Sequence, residues 1–289
     1  MKKKIILAAL LAVAPLANAM NAVMYQPQLR DTNVSDAQWQ SVLNKLKGQG
    51  IDTLVLQWTR YDDAFRDGES RAWLEHKAQL TRASGLNLVI GLAADGQFFE
   101  RQKQPLPALE NYLNRLRADD VSVAKRWVEV LGENAITGWY ISSELDDRRW
   151  REPQMQQTAQ NWLTKTRLSL AAVADKPVAV SSFFAGNMTP DSYSKWVKTL
   201  SHSGVKVWVQ DGAGTQMLTE AERSLYLKTP STGKVIELFR QDKQAKTFKA
   251  TPASAAYQQK WLSTPVPTGQ DRIYFSLRYM DAASGVLAR

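Results

Sequence analysis

The chain has 289 residues and a formal charge of +9, with no cysteine and only two histidines. Without disulfides the fold must be held by a large apolar core, and zinc or redox chemistry built on a Cys/His cluster is not expected. The basic residues are scattered rather than gathered in a stripe, which argues against nucleic acid but permits an acidic glycan or a membrane surface.

The N-terminus reads as an export leader. Lys2, Lys3 and Lys4 precede an apolar run from Ile5 to Leu16, broken only by Pro15, and Ala17-Asn18-Ala19 supplies a small-x-small cleavage pattern. The run is shorter than the roughly 20 residues a membrane-spanning helix needs, no stop-transfer pattern follows, and no cysteine marks a lipoprotein. Residues 1–19 are therefore read as a signal peptide, and a periplasmic or secreted protein that is not integral to the membrane is expected. Three units of the positive charge lie in that leader, leaving +6 on the mature chain.

From residue 20 onward short apolar runs alternate with amphipathic segments. The runs are Ala22–Gln26, Thr53–Trp58, Leu86–Leu92, Ile136–Ser142, Val178–Phe183, Val205–Gln210, Lys234–Phe239 and Arg272–Leu277. They are nearly continuous in hydrophobicity, as strands covered on both faces are. Between them, Ser35-Asp36-Ala37-Gln38 is a capping box leading into Trp39, Val42, Leu43 and Leu46. A second helix is predicted over Ser70–Ala83, and the third connection reads as two helices, Leu106–Leu116 and Val121–Leu131. Later helices fall near Pro153–Ala174, Asp191–Leu200, Thr219–Leu227 and Pro252–Leu262. The segment after the last strand is too short for a full helix. Eight such units predict one domain, residues 20–289: a (β/α)₈ TIM barrel with a stunted last helix.

Active sites of this architecture sit at the C-terminal ends of the strands. Glu144 follows the fourth run in Gly138-Trp139-Tyr140-Ile141-Ser142-Ser143-Glu144-Leu145-Asp146-Asp147. Glu237 lies in the seventh, flanked by Val235, Ile236, Leu238 and Phe239, where an ionised carboxylate is costly unless paired or hydrogen-bonded. Two carboxyl groups facing one cleft suit glycoside hydrolysis: one protonates the leaving oxygen, and the other attacks the anomeric carbon or activates water. The structural alternative is an arginine paired with Glu237, and Glu144 serving only as a helix cap. Gln26, Gln57, Trp58, Ser143, Gln210, Asp211 and Tyr279 are the further candidate binding residues, the glutamines for sugar hydroxyls and Trp58 and Tyr279 as stacking platforms. Asp95 and Ser182 also fall at strand ends. Asp95 and Asp211 each precede glycine, as turn-forming aspartates do, and Asp146 and Asp147 equally suit a helix start.

Glutamates after strands four and seven resemble those of the clan A retaining glycoside hydrolases. The resemblance implies Glu144 as acid/base and Glu237 as nucleophile. That clan places Asn directly before the acid/base, where this chain has Ser143. The segment Gly138–Asp147, together with Met24-Tyr25-Gln26-Pro27, more closely resembles a domain-of-unknown-function family of exported, glycosidase-like barrels.

His76 in a helix and His202 in a loop lack partners for metal ligation, and no nucleophile elbow, phosphate loop or dinucleotide fingerprint is present. No metal or cofactor is expected. The leading expectation is a periplasmic glycoside hydrolase acting on a cell-surface or secreted polysaccharide. A second is a non-catalytic glycan-binding barrel that assists exopolysaccharide export beside an envelope secretion complex. A third, weaker one is a scaffold that contacts a membrane-bound synthase through its basic surface.

Overall fold

The computed structural model describes residues 19–289. The leader read at residues 1–19 lies, but for Ala19, outside the described residues. Eight parallel strands close a barrel: β1 (Asn21–Tyr25), β2 (Thr53–Leu56), β3 (Asn87–Gly91), β4 (Gly138–Asp146), β5 (Val178–Phe183), β6 (Lys206–Gln210), β7 (Gly233–Glu237) and β8 (Asp271–Phe275). Each pairs with its sequence neighbours, and β8 returns to β1. No strand edge is left open in the barrel.

Helices cover the outside: α1 (Asp36–Gly48), α2 (Gly68–Ala83), α3 (Leu106–Leu131), α4 (Pro153–Ala171), α5 (Pro190–Ser201), α6 (Glu220–Tyr226) and α7 (Ala255–Ser263). The predicted capping box forms at α1, where Gln38 N–H donates to Ser35 Oγ and Gln38 Oε1 accepts from Ser35 N–H. The third connection departs from expectation. It is one helix of 26 residues, because no glycine or proline interrupts it between Pro107 and Gly132. Between the two expected segments the helix continues unbroken, and its Asp120 is buried and accepts a hydrogen bond from Ala93 N–H (3.1 Å). After β8, two short 3₁₀ turns, Leu277–Tyr279 and Asp281–Ala283, occupy the place of an eighth helix and bury Met280, Ala282 and Ala283.

The period of two along a strand decides what reaches the mouth. Met24, Val55, Val89, Tyr140, Ala179, Trp208, Val235 and Ile273 point inward as one apolar plug, with Tyr140 and Trp208 stacked at 5.4 Å. Their neighbours Tyr25, Leu54, Leu56, Ile90, Trp139 and Ile236 pack outward against the helices. Two residues further along each strand, the inward positions are Gln26, Gln57, Gly91, Ser142, Ser181, Gln210, Glu237 and Phe275. A mostly polar ring thus lies directly above a dry plug.

The β1–β8 seam is pinned from the same end. Arg278 donates to both oxygens of Asp31 (3.1 and 2.7 Å), and Tyr25 OH donates to Asp31 (2.9 Å), with all three side chains buried. No helix among the described residues is long and apolar enough to cross a membrane.

Candidate functional site

Above that ring opens a cleft of about 350 Å³, within the range of small-molecule sites. Both glutamates line it. Glu144 lies within the strand rather than after it, because β4 is irregular here. Ile141 pairs with Val180 and Leu145 with Ser182, so β4 advances four residues while β5 advances two. Such a bulge re-aims a side chain. It is tied down by Ser142 Oγ, which donates to the Gln57 carbonyl (2.8 Å), and by Ser182 Oγ, which donates to the Leu145 carbonyl (2.8 Å). Gln57 Nε2 lies 3.5 Å from Glu144 Oε1, and the Gln210 side chain also hydrogen-bonds to the carboxyl. Burial outweighs the Gln210 bond and pushes the Glu144 carboxyl from 4.5 up to about 7.

Glu237, the last residue of β7, is 3 % exposed and pairs with no arginine among the described residues. Backbone N–H groups solvate it instead: Gly214 (2.6 Å) and Thr215 (3.2 Å) both donate to Oε2. Burial, and secondarily the charge of Asp211, raise this carboxyl to about 7 against those two donors; Glu144 adds a smaller push in the same direction. The two groups therefore feel each other. A site with two carboxyls poised near neutrality can hold one proton and one charge, which is what acid-assisted displacement requires.

The other expected residues divide. Gln26, Gln57, Trp58, Gln210, Tyr279 and Asp95 line the cleft with the pair. Trp58 is fixed by an Nε1–H bond to the Pro27 carbonyl (2.9 Å) and meets Tyr61 edge-on at 4.9 Å. Ser143 and Asp211 do not line it. Ser143 is buried beside the bulge, and it is Ser142 that faces the cleft. Asp211 lies behind Glu237, accepting from the N–H groups of Ala213 (3.0 Å) and Glu237 (3.2 Å) and hydrogen-bonding to Tyr257 OH (3.4 Å). Asp146 and Asp147 are structural acceptors. The former holds Arg148 N–H and Gln102; the latter, fully buried, gathers the N–H groups of Ala185, Asn187 and Met188. Ser182 is buried against the bulge, and His76 sits on the surface against Asp36 (2.9 Å).

Several lining residues were not anticipated: Tyr61, Phe98, Phe99, Ser142, Thr215, Phe239, Phe248 and Phe275. Ser142 and Phe275 follow from counting by twos from the plug. The others stand on excursions beyond the strands. Arg60–Tyr61 pairs with Ala93–Ala94, and Phe239–Gln241 pairs antiparallel with Ala250–Pro252, so the hairpin between them carries Phe248 over Phe239 (5.7 Å).

Comparison with known proteins agrees with this architecture. The structure resembles the GH113 β-mannanase AaManA of Alicyclobacillus acidocaldarius (TM-score 0.50, 8 % identity, 91 % of this chain and 88 % of that one). It also resembles the intracellular xylanase TsXylA of Thermoanaerobacterium saccharolyticum (0.52, 12 %, 89 % and 86 %) and the catalytic domain of the Paenibacillus polymyxa β-amylase (0.52, 9 %, 90 % and 92 %). At these identities the likeness shows a shared barrel fold. In sequence, the chain is 45 % identical to the uncharacterized protein YbcH of Escherichia coli strain K12, over 98 % of this chain and 97 % of that one. With residues 20–283 matching it as well, the chain belongs to the family described as Domain of unknown function (DUF4434).

Proposed function

We propose that the protein is a glycoside hydrolase of the retaining, two-carboxylate kind, exported to the periplasm and acting on a cell-surface or secreted polysaccharide. The observation that carries this reading is a pair of carboxyls from opposite arcs of the barrel, both raised to about 7, in one aromatic-walled cleft. The chemistry follows from their surroundings. Glu237 has two backbone donors that favour its ionised form, so it is the nucleophile and attacks the anomeric carbon. Glu144, whose hydrogen-bond partners among the described residues are neutral amides, keeps the proton and delivers it to the departing glycosidic oxygen. As ionised Glu144 it then takes a proton from water, whose oxygen displaces Glu237 from the sugar; configuration is retained and both groups return to their starting states.

The test is turnover of purified protein on a panel of bacterial polysaccharides, with the anomer of the first-formed product read by NMR. Glu144→Gln and Glu237→Gln should each abolish cleavage; unchanged turnover in both would sink the proposal. One observation favours a second reading, a glycan-binding barrel that assists polysaccharide export beside an envelope secretion complex: Ser143 is turned into the protein where the clan A enzymes it resembles carry Asn. That reading expects binding without cleavage, undiminished by either substitution.

A further inference from the structure

The cleft has a composition at odds with the basic chain around it. Among the described residues, no lysine or arginine lines it, while Asp95, Glu144 and Glu237 do. Of the cations on the neighbouring loops, Arg101, Arg240 and Lys243 are held by other groups. Arg101 lies over Tyr112 (5.4 Å) and reaches Asp95 at 3.5 Å, Arg240 lies over Tyr257 (4.5 Å), and Lys243 Nζ donates to the Gln216 carbonyl (2.7 Å). An anionic ligand group here would be desolvated beside two carboxyls with no counter-charge, which costs several kcal/mol in general.

The aromatic residues also fall into two groups. One stands on the loops after β2 and β3: Trp58, Tyr61 and Phe99. The other stands after β7 and β8: Phe239, Phe248 and Tyr279. In the closed barrel β1 separates these arcs on one side, bringing Gln26, and β4 to β6 on the other, bringing Glu144 and Gln210. Glu144, on β4 next to β3, adjoins the first group, and Glu237, at the end of β7, adjoins the second. The outermost rings are open to solvent, Tyr61 at 36 %, Phe99 at 44 % and Phe248 at 60 %. Exposed aromatic surface gathered at a cleft marks a binding face rather than chance exposure.

We propose that the cleft takes an internal stretch of an uncharged polysaccharide, with sugar rings stacked on aromatic side chains on both sides of the carboxyl pair. This deepens the glycosidase reading and rests on it for the identity of the central site. Ring faces of neutral sugars present C–H groups to the aromatic planes, while their hydroxyls meet Gln26, Gln57 and Gln210. Gln57 is 4 % exposed and its Oε1 has no donor among the described residues, so a sugar hydroxyl supplies the missing partner.

The experiment uses the full mature chain carrying Glu144→Gln, so that binding is read without cleavage. Intrinsic tryptophan fluorescence or calorimetry is recorded with hexamers of cello-, manno- and xylo-oligosaccharide, with hexagalacturonate and with hexameric chitosan. A neutral hexamer should bind more tightly than its trimer, and hexagalacturonate more weakly than the neutral hexamer. Tyr61→Ala and Phe248→Ala, both at exposed positions, should each weaken the hexamer about three- to tenfold. Preferred binding of hexagalacturonate or chitosan, no binding of any neutral hexamer, or affinities unmoved by both alanine substitutions would overturn the proposal. Wild-type protein that binds the neutral hexamer but leaves it intact would refute the hydrolase alone.

Discussion

Replacing Glu144 with glutamine should stabilise the protein, and only at neutral to alkaline pH. The carboxyl sits at 4.5 in an open chain and at about 7 in the fold, where burial disfavours its charge. Below 4.5 it is protonated in both states and contributes nothing to the difference. Between those values the unfolded chain releases the proton and the folded one keeps it, so stability falls by about 1.4 kcal/mol per pH unit. Above about 7 both states are ionised and the loss is complete, at about 3 kcal/mol. Glutamine has nearly the same shape, still accepts from Gln57 and Gln210, and does not titrate. The variant should therefore match the wild type near pH 4.5 and exceed it by up to about 3 kcal/mol at about pH 8.5, roughly 5–10 °C in Tm. Urea denaturation at three pH values measures this. A difference that does not change with pH, or a variant less stable than wild type at about pH 8.5, would show that the carboxylate is well solvated in the cleft and refute the reasoning. Glu237 is raised to about the same value, with its Gly214 and Thr215 donors already acting against the rise, so the corresponding change there should gain about as much.

Three more outcomes follow from the same contacts. The pH profile of kcat/KM should be bell-shaped, failing above about 7 as Glu144 gives up its proton and on the acid side as Glu237 takes one, with the two limbs belonging to the pair. Gln210→Leu removes a hydrogen bond that favours ionised Glu144, so the alkaline limb should move to higher pH while the acid limb stays, with kcat down about tenfold. Arg278→Ala leaves Asp31 buried without its cation and should cost about 3–5 kcal/mol, seen as a lower denaturant midpoint with an unchanged m-value.

What the sequence by itself determined is whatever a strand's period of two and a helix's caps encode locally. Eight buried runs between amphipathic segments specify the barrel, and counting by twos from Met24, Val55, Trp208 and Val235 brings Gln26, Gln57, Gln210 and Glu237 to its mouth. The third connection reads as two helices in the sequence and folds as one, with Asp120 finding its partner, Ala93 N–H, only in the tertiary structure. Only the tertiary structure decided that Ser142 rather than Ser143 faces the cleft and that Asp211 stands behind Glu237. The aromatic walls on the hairpin and the β2 and β3 loops belong to it too. Each of these depends on a bulge, a loop path or a pairing between distant segments, and no local pattern records where such elements meet.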